Sequence, residues 1–237
     1  IVGSADARNL AEIEDLKRIM QGLFDSTKNM SREGVVSLLG GLRNVSLHHL
    51  PQAEMVATPK MSALYRMVDV FLANSFRAHD LWALFLSHVL ELVQDPKSSV
   101  REAAIDALGK AINGTLANLH VSDRDRAGRG AGGKGAGGDG LCTVDVDKND
   151  VANVDAQQLQ LLENMVLVAL ESLYNDNERD VQLGVLKVLG QVLQRNGEHL
   201  TDGWTPVLRL LASAGEASSP ETVALGCESL QIVYNDY

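Results

Sequence analysis

The chain has 237 residues, 45% hydrophobic, 22% charged and only 4% aromatic, with 31 acidic against 21 basic side chains for a net charge of −10. That length and apolar content suffice for a substantial core and exclude a disordered or fibrous chain; the acidic balance excludes a nucleic-acid backbone or an anionic membrane surface as what the whole chain attracts. Leu, Val and Ala dominate the apolar set, which suits helices and poorly suits a sandwich or barrel built on β-branched and aromatic strands.

In chain order, the opening half reads as helices near 5–24, 31–48, 60–76 and 80–94. Ser31 is placed to cap the second, with Glu33 in its first turn, although Gly34 rules out a full capping box and Gly40 and Gly41 weaken the helix. Asp80 sits where a cap should precede Leu81. From there Leu81, Leu84, Phe85, His88, Val89, Leu92 and Val93 form one stripe that Trp82, Leu86 and Leu90 widen, the pattern of a helix touched on two sides. The turn Gln94-Asp95-Pro96-Lys97 follows, because Pro96 cannot continue one helix and is tolerated in the first turn of the next.

The next stripe is written three times. Val100, Ala103, Ala104, Ala107, Leu108, Ala111 and Ile112 recur at the spacing of one helical face. The same spacing returns 81 positions on in Val181, Gly184, Val185, Val188, Leu189, Val192 and Leu193, and both copies follow an aspartate, Asp95 or Asp176, by five residues. A further 42 on, Val223, Gly226, Cys227, Leu230 and Tyr234 repeat most of it. Upstream helices near 155–174 and 204–213 pair with 178–195 and 220–235; Thr201 or Asp202 is placed to cap the 204–213 helix, and Pro206 and Pro220 fit first turns. Self-similarity of this kind predicts an all-α fold, an α-solenoid of stacked antiparallel helix pairs of the HEAT or armadillo kind, which binds by extended surface. The organisation expected is N-terminal helical repeats over 1–120, a Gly-rich insert over 121–150 and C-terminal repeats over 151–237, together a slice of a longer solenoid, since the chain opens without Met and without the order of a signal peptide.

Eight of the thirteen residues from Gly128 to Gly140 are glycine, a composition with maximal chain entropy and nothing to bury, so a disordered loop between repeats is expected. Gly128, Gly133 and Lys134 nearly spell a phosphate-binding loop, but Gly135 stands where a Ser or Thr must hold Mg²⁺. Asp145, Asp147 and Asn149 resemble the start of a calcium loop, but Asp150 replaces the turn glycine and Ala156 the bidentate glutamate. His48 and His49 are adjacent and diverge on a helix, unlike a metal-binding pair; His88 lies on an apolar stripe and needs a buried partner that the sequence does not identify. Cys142 and Cys227 fit neither a disulfide framework nor a metal motif, which points to a reducing cytosol; Cys227 reads as a small hydrophobe on its stripe and Cys142 as an exposed thiol. Asn44 and Asn113 head glycosylation sequons but fall within expected helices. Gly109 and Gly190 occupy one place in two stripes, each costing about 1 kcal/mol relative to alanine unless a neighbouring helix approaches closely there. Asp95, Arg101 and Asp176 read as structural: the turn aspartates accept backbone N–H groups and the arginine bridges to a neighbouring repeat. No catalytic, cofactor-binding or metal-ligating residue emerges, and the structural signature is Asp95, Pro96, Val100, Arg101, Asp176, Val181, Gly203 and Trp204.

From about Ala63 to Tyr237 the chain resembles the Mon2 family, large HEAT-repeat relatives of the BIG-type Arf guanine-nucleotide exchange factors. The resemblance is carried by ALYRMVDVFLANSFRAHDLWALFLSHVLELVQDPKSSVREAAIDALGKAI, then DVQLGVLKVLGQVLQRNGEHLTDGWTPVLRLL, then LGCESLQIVYNDY, in that order. It implies a non-catalytic cytoplasmic scaffold, peripheral at the trans-Golgi network and endosomes, which acts with a Dopey-type protein partner and communicates with Arf-like GTPases and lipid flippases. The stretch resembles the region downstream of the position where exchange factors carry their Sec7 domain, and no Sec7-like sequence is present, so exchange activity does not carry over. Residues 121–150 depart from the family pattern. Two other readings stand beside it: the regulatory HEAT region of a large Arf exchange factor, or an unrelated HEAT-repeat adaptor.

Overall fold

The computed structural model describes residues 2–49, 61–129, 148–175 and 178–237, and every regular element among them is helical. The chain divides into two compact units, Ile1–Leu92 and Val93–Tyr237. The sequence-based boundary at 120 is not where the units part. The expected insert is also partly helical, since one helix runs on to Arg129 and the next begins at Lys148, while the rest of the Gly-rich stretch, with Lys134, Cys142, Asp145 and Asp147, lies outside the described residues.

The first unit holds α1 (Val2–Asp25), α2 (Arg32–His49), α3 (Ser62–Ala73) and α4 (Ala78–Leu92). Helix α1 packs on α3, and α2 packs on both α3 and α4. Ser31 caps α2 through its Oγ, which accepts from Gly34 N–H at 3.1 Å, and α2 continues unbroken through Gly40 and Gly41. Helix α3 ends sooner than its apolar pattern suggests because Asn74 turns the chain: its buried amide donates to Val70 O at 2.7 Å and to Thr27 Oγ1 at 2.9 Å. The core is an aromatic group, with Phe71 stacked on Phe85 at 5.1 Å and Trp82 tilted against Phe71 at 5.8 Å. Asp80 does not cap α4, which starts two residues earlier at Ala78; the carboxylate lies in the first turn and accepts from Arg32 of α2 at 3.1 Å.

The second unit holds α5 (Ser98–Arg129), α6 (Lys148–Asn175), α7 (Arg179–Asn196), α8 (Trp204–Gly215) and α9 (Pro220–Asp236). Helices α6 with α7 and α8 with α9 form consecutive pairs; α5, α7 and α9 stack as one layer, and α6 and α8 as the other. This is the layering of an α-solenoid. Its core is the stripe read from the sequence: Val100, Ala104, Ala107, Leu108, Ala111 and Ile112 of α5 are fully buried, as are Val185, Val192 and Leu193 of α7. The α5–α7 contact is tight in both directions. A Cβ on Gly109 would lie 2.9 Å from Val188 Cγ2, and one on Gly184 would lie 2.8 Å from Ile105 Cδ1, so each helix receives a β-branched side chain of the other where it has none. Gly190 differs from the expectation: only Ser229 Oγ comes near its missing Cβ, at an ordinary 3.7 Å.

The third stripe is offset from its reading. On α9 the buried positions are Thr222, Gly226 and Ser229, whereas Cys227, Leu230 and Tyr234 are exposed, so Cys227 is a surface thiol and not a core hydrophobe. Small residues face inward because α9 approaches α8 closely, Gly226 lying against Ala214 Cβ at 3.0 Å from its notional Cβ.

Candidate functional site: the repeat joints and the α6–α8 groove

The joint before α5 is built from Asp95, Pro96, Val100 and Arg101. Asp95 Oδ1 accepts the Lys97 N–H at 2.9 Å, closing the turn, while Val100 anchors the helix start in the core. Arg101 ties the turn to the next repeat. Its Nη1 donates to Asp95 O at 2.8 Å and Pro96 O at 3.0 Å, its Nε donates to Asp180 Oδ2 of α7 at 2.8 Å, and its Nη2 reaches the same oxygen. The hydrogen bond to Asp180 raises the guanidinium pKa further above its ordinary value. At the following step of the stack, Arg179 of α7 donates to Glu221 of α9 at 2.9 Å. Val181 is buried beside this joint, and Asp176 lies outside the described residues.

Deeper in the α5–α7 interface, Asn196 Nδ2 donates to Asn113 Oδ1 at 3.1 Å, and Asn113 Nδ2 donates to Gly109 O at 2.9 Å. The sequon asparagine is therefore a buried cross-link between two helices. Nothing in its tripeptide reveals this.

The loop between α7 and α8 carries Gly203 and Trp204. Thr201 and Asp202 do not cap α8 with their side chains. The group that holds this loop is Glu163 of α6, buried to 5% exposure, whose Oε1 accepts from Thr201 N–H at 2.8 Å and Gly203 N–H at 2.7 Å, while Oε2 accepts from Thr201 Oγ1 at 3.0 Å. Gly203 must lack a side chain, since a Cβ there would meet Glu163 Oε1 and Leu167 Cδ1. Trp204 donates from Nε1 to Leu200 O at 3.0 Å and meets the Tyr237 ring edge-on at 5.5 Å. Tyr237 in turn donates to Leu193 O at 2.8 Å, and burial raises its phenol pKa. Trp204 and Tyr237, which fall in the second and third of the stretches that carry the family resemblance, thus fold onto each other.

The family model described as Mon2/Sec7/BIG1-like HDS matches residues 152–232, and the HEAT-repeat model matches residues 85–113. The human Protein MON2 homolog is 24% identical over 229 residues, covering 96% of this chain and 12% of the human protein. The Xenopus laevis homolog is 24% identical, with 96% of this chain and 11% of that protein covered, and the Drosophila melanogaster homolog is 20% identical over 228 residues, with 96% and 12%. The chain is similar to a segment of these Mon2 proteins. No solved structure matches it.

On this chain the HDS match spans most of α6 through most of α9, so it contains Glu163, Asp180, Val181, Gly203 and Trp204, whereas Asp95, Pro96, Val100 and Arg101 fall in the HEAT match. The segment matches HEAT and HDS models and not a catalytic domain. Its signature residues make joints. Surface chemistry appears elsewhere in the same unit, in an open groove of about 650 Å³ between α6 and α8, lined by Gln160, Leu161, Asn164, Asp202, Thr205 and Arg209.

In the first unit, His88 of α4 is fully buried with neither ring nitrogen hydrogen-bonded, and Glu91 Oε2 lies 3.9 Å from Nδ1. Burial lowers its pKa to about 4 against the opposing pull of Glu91, and Arg43 of α2, which itself pairs with Glu91 at 2.8 Å, adds to the lowering. A neutral imidazole packed as core matches the reading of His88 as a stripe residue, whereas the buried hydrogen-bond partner that reading expected is not found among the described residues.

Proposed function

We propose that this chain is a non-catalytic scaffold segment of a Mon2-like protein that acts in endosome and trans-Golgi membrane trafficking through protein–protein contacts. The observation that carries the proposal is the HDS match over residues 152–232, within a layered helix stack whose signature side chains serve its joints. A stack so built offers long helical faces to partners, the working mode of solenoid proteins. The chain spans about 12% of the human relative it matches, so the partners proposed for the whole protein, a Dopey-type protein and Arf-like GTPases, are proposed for it by way of the family. On this reading the protein is cytoplasmic and reaches the membrane through those partners. No described helix is long and apolar enough to cross a membrane.

The test is to delete residues 81–237 from the full-length protein and measure recruitment to Golgi and endosomes together with co-purification of the Dopey-type partner. Loss of either supports the scaffold reading; normal recruitment, partner recovery and cargo recycling would overturn it for this region. The BIG1-like wording of the matched family favours a second reading, the regulatory repeats of an Arf exchange factor. A Sec7 domain upstream in the full-length chain, with nucleotide release from Arf altered by the same deletion, would decide for it.

A further inference from the structure

Gln160 and Asn164 stand four residues apart on α6, and Thr205 and Arg209 stand four apart on α8, all six lining residues of the α6–α8 groove lying within one unit. Four residues of helix rise about 6 Å. Two residues of extended chain rise about 6.6 Å, so carboxamides at this spacing meet successive same-side peptide groups of a strand laid along the groove. Each carboxamide offers a donor and an acceptor, the pair that a peptide group needs. Gln160 and Asn164 are exposed, and their side chains make no hydrogen bond among the described residues. Leu161, 65% exposed, adds an apolar surface beside them.

The charges of the groove are unequal in their commitments. Arg209 is already paired, its Nε lying 3.0 Å from Glu171 Oε1 in an ion pair, whereas Asp202 is exposed and has no ion pair among the described residues. The unneutralised charge is negative. We infer that the α6–α8 groove binds an extended peptide segment of a partner protein, its backbone held by Gln160 and Asn164, an apolar side chain against Leu161 and a lysine or arginine at Asp202. This deepens the scaffold reading by naming one surface and the partner chemistry it fits.

The probe is a capped heptapeptide alternating serine with leucine, lysine and leucine, titrated into the ¹⁵N-labelled 237-residue chain. The expected result is movement of the Gln160 and Asn164 side-chain amide signals, a loss of affinity of about tenfold in Asn164→Leu, and in Asp202→Lys a switch of preference to the same peptide with glutamate in place of lysine. Circular dichroism of both variants should match the parent, since each residue is exposed. Absence of amide shifts at about 1 mM peptide, a range in which even weak docking is seen, would overturn the inference. So would shifts that persist with a proline-substituted peptide lacking backbone donors, or shifts that follow protein concentration without peptide and so report self-association. The assay reads the purified chain alone, so its failure leaves the cellular deletion result free to stand, and the reverse holds equally.

Discussion

Two buried ionisable side chains do opposite things in this molecule. Glu163 is buried where three donors converge on it, and it fastens the α7–α8 loop to α6. Replacing it by alanine leaves two backbone N–H groups without their acceptor and is expected to cost about 1–3 kcal/mol, read as a lower urea midpoint, whereas Asp202→Ala should leave the midpoint unchanged. His88 is buried without a hydrogen bond and stays neutral. Its folded pKa of about 4 lies below the ordinary 6.5, so between those values the unfolded chain binds the proton and the folded chain does not. Stability therefore falls as pH drops from about 6.5 toward about 4 and loses no more from this group below that. Urea melts of His88→Leu at pH 7, 6 and 5 should show a shallower decline than the parent; equal slopes would assign the decline to other groups.

At the scale of helices, the α5–α7 crossing depends on two glycines and the α7–α9 crossing does not. Gly109→Ala should destabilise, because Val188 is β-branched and stiff and stands 2.9 Å from the new methyl, and Val188→Ala in the same chain should restore part of the loss. Gly190→Ala should stabilise by about 0.5–1 kcal/mol, since helix propensity improves and only ordinary contact with Ser229 is made. Thermal melts of the three variants check this, and equal effects at the two glycines would contradict it. Leu108→Ala or Leu189→Ala should cost roughly 2–5 kcal/mol through lost burial and a residual cavity. These stripes were legible because a periodic apolar face is a local signal, and the ends of α2, α7, α8 and α9 followed it to within a residue or two. The third stripe was misread by one position because Thr222 and Ser229 pack on a small-residue crossing, where polarity does not announce exposure. Glu163 was not legible at all: it holds a loop 38 residues away, and neither α6 nor the loop carries a local sign of the pairing. The groove was missed for the same reason, since Gln160, Asn164 and Asp202 look like ordinary solvated residues until two helices stand side by side.

Across the molecule, the residues that mark the family are spent on joints: Asp95 closes a turn, Arg101 reaches Asp180, Gly203 admits Glu163, and Trp204 meets Tyr237. On the scaffold proposal, contacts with partners would fall to the exposed helical faces. The most direct measurement is recovery of the proposed Dopey-type partner with full-length protein carrying Arg101→Met, made at a temperature where the variant is folded, beside its unfolding midpoint. A lowered midpoint with undiminished partner recovery is the result predicted. An unchanged midpoint with the partner lost would show that the signature arginine is itself a contact residue, and would contradict the division between joints and binding surface.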